Sequence, residues 1–115
     1  KRSPLCGSTV TVDVMVKDGR VSRFAQDVKA CALGQASAAI LGQSVIGRTA
    51  EELEAARRSL TAMLKEGGPA PAAPFQGYQV LVPAREYKNR HASILLSLDA
   101  AMEAMDAAFK ARQAG

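Results

Sequence analysis

Valines at 10, 12, 14 and 16 alternate with Thr11, Asp13, Met15 and Lys17. A backbone of period two gathers four such valines on one side, so the segment is predicted to be a strand with one buried face. Lys17-Asp18-Gly19-Arg20 follows and supplies the Asp-Gly pair of a tight hairpin. The chain then alternates back through Val21 and Phe24. Residues 9–28 are therefore expected to form a β-hairpin, and the remaining chain must be arranged around it.

From Ala32 to Ile46 the residues are mostly Ala, Gly, Ser and Leu. This suits a helix whose small side chains let it lie close to a neighbour, although its glycines and β-branched end weaken helix propensity. Gly47 is the expected stop. Thr49 and Glu52 have capping-box spacing, and Leu53, Ala56, Leu60 and Leu64 recur at helical intervals up to Gly67 and Gly68. The stretch GGPAPAAP is predicted to be an exposed connection. FQGYQVLVP, residues 75–83, reads as a third strand. Leu95, Leu98, Met102, Met105 and Phe109 then fall three and four apart, the apolar stripe of one long helix. The expected fold is α+β, a small three-stranded antiparallel sheet with helices packed on one face.

The 115 residues, 48% of them hydrophobic, suffice for a single domain spanning 1–115 whose core does not require metal or disulfides. No apolar run approaches the roughly 20 residues of a membrane span, and the amino terminus lacks a signal-peptide core. The cytoplasm is the expected compartment. In that reducing setting Cys6 and Cys31 should be free thiols, ligands or reactive groups rather than a disulfide. A net charge of +4 would favour contact with polyanions. The basic residues are spread from Lys1 to Arg112, however, and the few aromatics form no stacking platform, so no nucleic-acid binding is expected.

Three residues stand out chemically: the cysteines at 6 and 31 and the one histidine, His91. Each is expected at the edge of an element. Cys6 precedes the first strand, Cys31 lies where the hairpin gives way to a helix, and His91 lies near the start of the last helix. A helix start presents unpaired N–H groups and positive potential, which lower a thiol's pKa, so Cys31 is placed to be a thiolate. Spacing alone leaves two readings open. The three are a shared metal site, or they are a buried small hydrophobe, an exposed thiol and a surface imidazole with no C-x-x-C between them.

The motifs PLCGS before the alternating strand, KDGRV, ACALGQASAA, VIGRTAEEL, and PAR followed by HASILL occur in one order from Pro4 onward. In these the sequence resembles the U-type iron-sulfur cluster assembly scaffolds, the NifU-like, IscU-like and SufU-like proteins. The resemblance implies an α+β fold, a partly exposed site that assembles a transient cluster, a cysteine desulfurase as sulfur donor, and apo-proteins as recipients. It implies no enzymatic turnover. Scaffolds of this type often carry a further amino-terminal helix, which is expected ahead of the segment opened by Lys1.

The family's site uses three cysteines and an aspartate. Cys6 and Gly7 match its Cys-Gly-Asp motif, and Ser8 stands where the aspartate should be, a doubtful ligand. Cys31 matches the cysteine that opens the small-residue helix. His91 falls on the third cysteine if EYKNR contains a short insertion; read without a gap, Lys88 falls there. His91 is preferred, because imidazole binds iron or zinc and an ammonium does not. The implied ligands are thus Cys6, Cys31 and His91, with Cys31 or Cys6 also able to accept persulfide sulfur. Two thiolates and a neutral imidazole cancel the 2+ of an oxidised [2Fe-2S] core or of Zn2+, and nitrogen ligation should raise a cluster's potential.

Three functions follow from the resemblance: a cluster scaffold or carrier, a zinc-bearing SufU-like sulfur acceptor, or a degenerate member serving as an interaction module. Arg85, Lys88 and Arg90 beside His91 are either a receiver for an acidic patch on a partner or a solvated helix start.

Overall fold

The structure, a computed structural model, describes residues 9–114, with side chains through Lys110. Cys6, Gly7 and Ser8 lie outside the described residues. The elements run β1 (Thr9–Lys17), β2 (Arg20–Lys29), α1 (Ala32–Ser44), α2 (Ala50–Lys65), 3-10 turns over Gln76–Glu86 and Lys88–Arg90, and α3 (His91–Ala114).

β1 and β2 form the expected antiparallel hairpin. Asp18 and Gly19 both take positive φ, 55° and 76°, as a two-residue primed turn requires. The register slips once, where Met15 faces Arg23 but Val16 faces Val21. Ser22 is the extra residue, and its hydroxyl donates to the Met15 carbonyl at 3.0 Å. The bulge explains how Val21 and Phe24, three apart, both point inward. Val10, Val12, Val14 and Val16 face inward with them, while Thr11, Asp13, Met15 and Lys17 face solvent. Helices cover the inner face only.

α2 starts as its sequence directs. Thr49 Oγ1 accepts from the Glu52 N–H at 3.2 Å, and the Glu52 carboxylate accepts from the Thr49 N–H at 3.3 Å. Leu53, Ala56, Leu60, Met63 and Leu64 are buried against the core. Gly67 at φ 70° ends the helix, and the Gly68 N–H returns to the Ala62 carbonyl.

The expected third strand is not formed; among the described residues the sheet has two strands. The segment from Gln76 onward lies instead in consecutive 3-10 turns, and the reason is its apolar spacing. Phe75, Tyr78, Leu81 and Ala84 recur every three residues and are all buried, whereas Val80, which a strand would have to place, is 70% exposed. This face packs on α1 and α2.

α3 is more central than one stripe implies. Ile94, Leu98, Ala101 and Met105 join the main core, while Leu96 and Ala100 pack with Val10 of β1. α3 thus lies between the hairpin and the other helices. No helix among the described residues is long and apolar enough to cross a membrane.

α1 meets α3 through Gly34, Ser37, Ala38 and Leu41. A Cβ at Gly34 would stand 2.5 Å from Ser93 Oγ and 2.8 Å from Ala30 Cβ. At Gly42, on the exposed side, the nearest atom would be 3.5 Å away. Gly34→Ala should therefore lose about 1–3 kcal/mol to overpacking, whereas Gly42→Ala should gain about 0.5–1 kcal/mol from helix propensity. Urea unfolding of the two variants beside the parent measures both signs; equal behaviour would contradict the close crossing.

Candidate functional site

Cys31 is the N-cap of α1, with extended backbone angles (φ −65°, ψ 171°), and its carbonyl accepts the first helical bond from Gln35 at 2.9 Å. It is a free, partly buried thiol. Its Sγ lies 3.5 Å from Ser93 Oγ, a buried hydroxyl in the first turn of α3. Burial alone would push the Cys31 thiol up. The Ser93 hydroxyl, the N–H groups of Gly34 and Leu33, and the charge of Arg90 act the other way, and together they hold it below the usual thiol value. The amino end of α1 acts on the sulfur through two identifiable N–H groups. It is supplemented by a donor from a segment 62 residues away.

No motif in the sequence marks Ser93 as a site residue. Its signal was a small polar residue inside the apolar run HASILL, at a level of α3 where only buried side chains follow. Gly34 was likewise read only as a small residue, yet it is what lets α3 approach closely enough for Ser93 to reach the sulfur.

His91 opens α3 and is 5% exposed. Its Nε2 lies 3.2 Å from the Ala84 carbonyl and 3.1 Å from that of Arg85. Carbonyl oxygens only accept, so Nε2 carries the hydrogen, and in the neutral ring Nδ1 keeps the free lone pair. A backbone carbonyl that fixes the tautomer in this way is the usual outer support of a metal-binding imidazole, and equally of a buried structural one. The ring borders a cleft of about 530 Å³ together with Leu64, Lys65, Gly67, Arg85 and Lys88.

The structure therefore brings Ser93, not His91, against Cys31. His91 and Ser93 are two residues apart, about 200° around a helix, and the imidazole is held by the 3-10 segment beside the end of α2. Among the described residues no group of three His, Cys, Asp or Glu side chains could hold a metal ion. Lys88 is exposed on the Lys88–Arg90 turn and borders the same cleft as His91. Arg85 is partly buried, and its guanidinium donates to the carbonyls of Met63 at 2.5 Å and Gly68 at 2.7 Å, closing off the carboxyl end of α2.

Among solved structures, a nitrogen-fixing NifU-like protein (N-terminal) from Brucella abortus is 50% identical, with a TM-score of 0.91 over 96% of this chain and 76% of that one. The chain belongs to the NifU-like family. The fold alone is shared with a hypothetical protein at 22% identity, TM-score 0.82, over 92% of this chain and 78% of that one. It is also shared with a protein assigned as an iron-sulfur cluster assembly scaffold for the SUF system of Fervidobacterium islandicum AW-1, at 20% identity and TM-score 0.77 over 90% and 76%. No family model and no curated protein matches the sequence.

The donors around Cys31 fix the sign of its pH dependence. A thiol below its usual pKa becomes a thiolate, and so alkylates, at lower pH than a free thiol does. In metal-free Cys6→Ala protein, the rate of Cys31 alkylation by iodoacetamide should rise through a lower midpoint than that of a small-molecule thiol. Ser93→Ala should move the midpoint upward. A midpoint unchanged by Ser93→Ala would show that the hydroxyl does not donate to sulfur.

Proposed function

We propose that the chain is a scaffold or carrier on which a nascent iron-sulfur cluster, the cargo, is assembled or held and then passed to recipient apo-proteins. The chief support is one observation: the Cys31 sulfur sits at a helix start, 3.5 Å from Ser93 Oγ, with its pKa lowered there, in a NifU-like fold. Cys6, from the segment just before β1, supplies the second thiolate in this reading, and His91, held beside the end of α2, would have to swing toward Cys31 to complete the ligand set. Nδ1 of His91 is the atom left free for iron, because Nε2–H is committed to the 3-10 carbonyls.

The chemistry follows from the donor set. Two thiolates and a neutral imidazole neutralise an oxidised [2Fe-2S] core, and a fourth position is left for water or for a partner's sulfur, the opening that transfer needs. Sulfur would arrive from a cysteine desulfurase. The Cys31 thiolate attacks the sulfane sulfur of that enzyme's persulfide, a new S–S bond forms, the old one breaks, and the desulfurase cysteine leaves as thiolate. The chain itself turns over no substrate in this scheme.

Anaerobic reconstitution with ferrous iron and sulfide, followed by visible absorption and metal analysis, tests the reading. Sulfide-to-iron charge-transfer bands are expected. Stoichiometric zinc without sulfide would replace the carrier role with that of a zinc-bearing sulfur acceptor, and neither metal would leave an interaction module. Cys31→Ala should abolish retention of the cargo, His91→Ala should weaken it, and Lys88→Ala should leave it intact. Loss with Lys88→Ala but not with His91→Ala would transfer the third position to residue 88.

A further inference from the structure

Five of the described cations pair with carboxylates. Arg20 and Arg48 share Glu52, Arg57 pairs with Asp99, Arg58 with Glu54, and Lys110 with Asp106. The cleft beside His91 breaks that pattern. Lys65 comes to it from the last turn of α2, Arg85 from the end of the longer 3-10 segment and Lys88 from the turn that follows, and no carboxylate lines it. Glu66 and Glu86 neighbour these residues in sequence but are exposed and not part of the lining.

Arg85 makes the imbalance sharper. The carboxyl end of a helix presents carbonyl oxygens that would repel an anion. Here Arg85 covers the Met63 and Gly68 carbonyls and keeps its own charge at the cleft wall. His91, at the amino end of α3 where the dipole is positive, also lines the cleft. Positive potential thus converges on one opening from several elements, with the apolar Leu64 at its side.

We propose that this cleft docks an acidic segment of a partner protein, with Lys65 and Lys88 receiving its carboxylates, Arg85 holding the wall positive and Leu64 contacting an apolar residue between them. A small inorganic anion fits less well. The two lysines are exposed and set on separate elements around an open cleft of about 530 Å³, without the ring of inward N–H groups that cradles a phosphate. Spaced carboxylates on a flexible segment match spaced cations on an open surface. The surface needs no metal or cluster, so it stands or falls separately from the cargo.

The test uses the metal-free chain and fluorescence anisotropy at low salt. The probe is a fluorescein-labelled peptide of glutamates around a central leucine, and its control carries glutamine in their place. The glutamate peptide should bind and the glutamine peptide should not. Reversing Lys65 and Lys88 together to Glu should weaken binding at least tenfold, and neutralising them to Gln should give an intermediate loss. Reversing Lys17 and Lys29, exposed on the hairpin, changes net charge equally and should cost less than threefold. Equal losses from the two reversals would reduce the effect to net charge and overturn the proposal. So would a glutamine peptide that binds as well, a glutamate peptide that does not bind, or saturable binding of inorganic phosphate that excludes the peptide.

Discussion

The close crossing of α1 over the start of α3 sets the geometry on which both the core and the thiol site depend. Gly34 has no room for a Cβ beneath Ser93, and one turn on the Ser37 hydroxyl donates to the Ile94 carbonyl at 2.5 Å. Small side chains allow the two backbones to approach, and a side-chain-to-backbone bond then fixes their register. Ser93 is thereby placed over the amino end of α1, where Cys31 sits. Sulfur and hydroxyl meet because two helices far apart in sequence share one contact, with no local motif between them. A bulkier α1 would have moved Ser93 off the thiol while leaving both helices intact.

The hairpin is held to this helical layer at its turn end as well as along its inner face. Val21 donates to the Arg48 carbonyl at 2.9 Å and accepts from the Gly47 N–H at 2.8 Å, and Arg20 bridges to Thr49. Arg20 also reaches the Gly47 carbonyl and Glu52, so the capping residue of α2 anchors the hairpin too. The α1–α2 corner thus pairs with part of the β2 edge, where the strand would otherwise present bare N–H and C=O groups. The hairpin is therefore docked without the third strand that the sequence suggested.

What was legible in the sequence follows the range of the interaction involved. The Asp-Gly turn, the valine alternation and the Thr49–Glu52 cap are settled within a few residues, and each appears as read. Residues 75–83 favour a strand locally through Val80 and Val82, while a spacing of three in Phe75, Tyr78, Leu81 and Ala84 serves the surface that α1 and α2 offer. The α3 stripe of Leu95, Leu98, Met102, Met105 and Phe109 was real but incomplete. A helix packed between the hairpin and other helices buries Leu96 and Ala100 as well, and no single periodicity announces that. At the site, Cys31 could be placed from its position before a helix. Its partner could not, since nothing near residue 31 points to Ser93.

The two kinds of electrostatics at this end of the molecule differ in reach. Burial raises the Cys31 thiol's pKa, and the hydrogen bonds of Ser93, Gly34 and Leu33, with Arg90 the smallest contributor, outweigh burial and lower it. Short hydrogen bonds of that kind are almost insensitive to ionic strength, whereas exposed charges such as Lys65 and Lys88 act over a distance that salt shortens to about 8–10 Å at physiological strength. Sulfur chemistry and partner capture can therefore vary independently in one small fold. The donors on the thiol respond little to salt, whereas an acidic partner's residence in the neighbouring cleft is set by it. A cation placed directly on the sulfur would have coupled the two, and the structure uses neutral donors there instead.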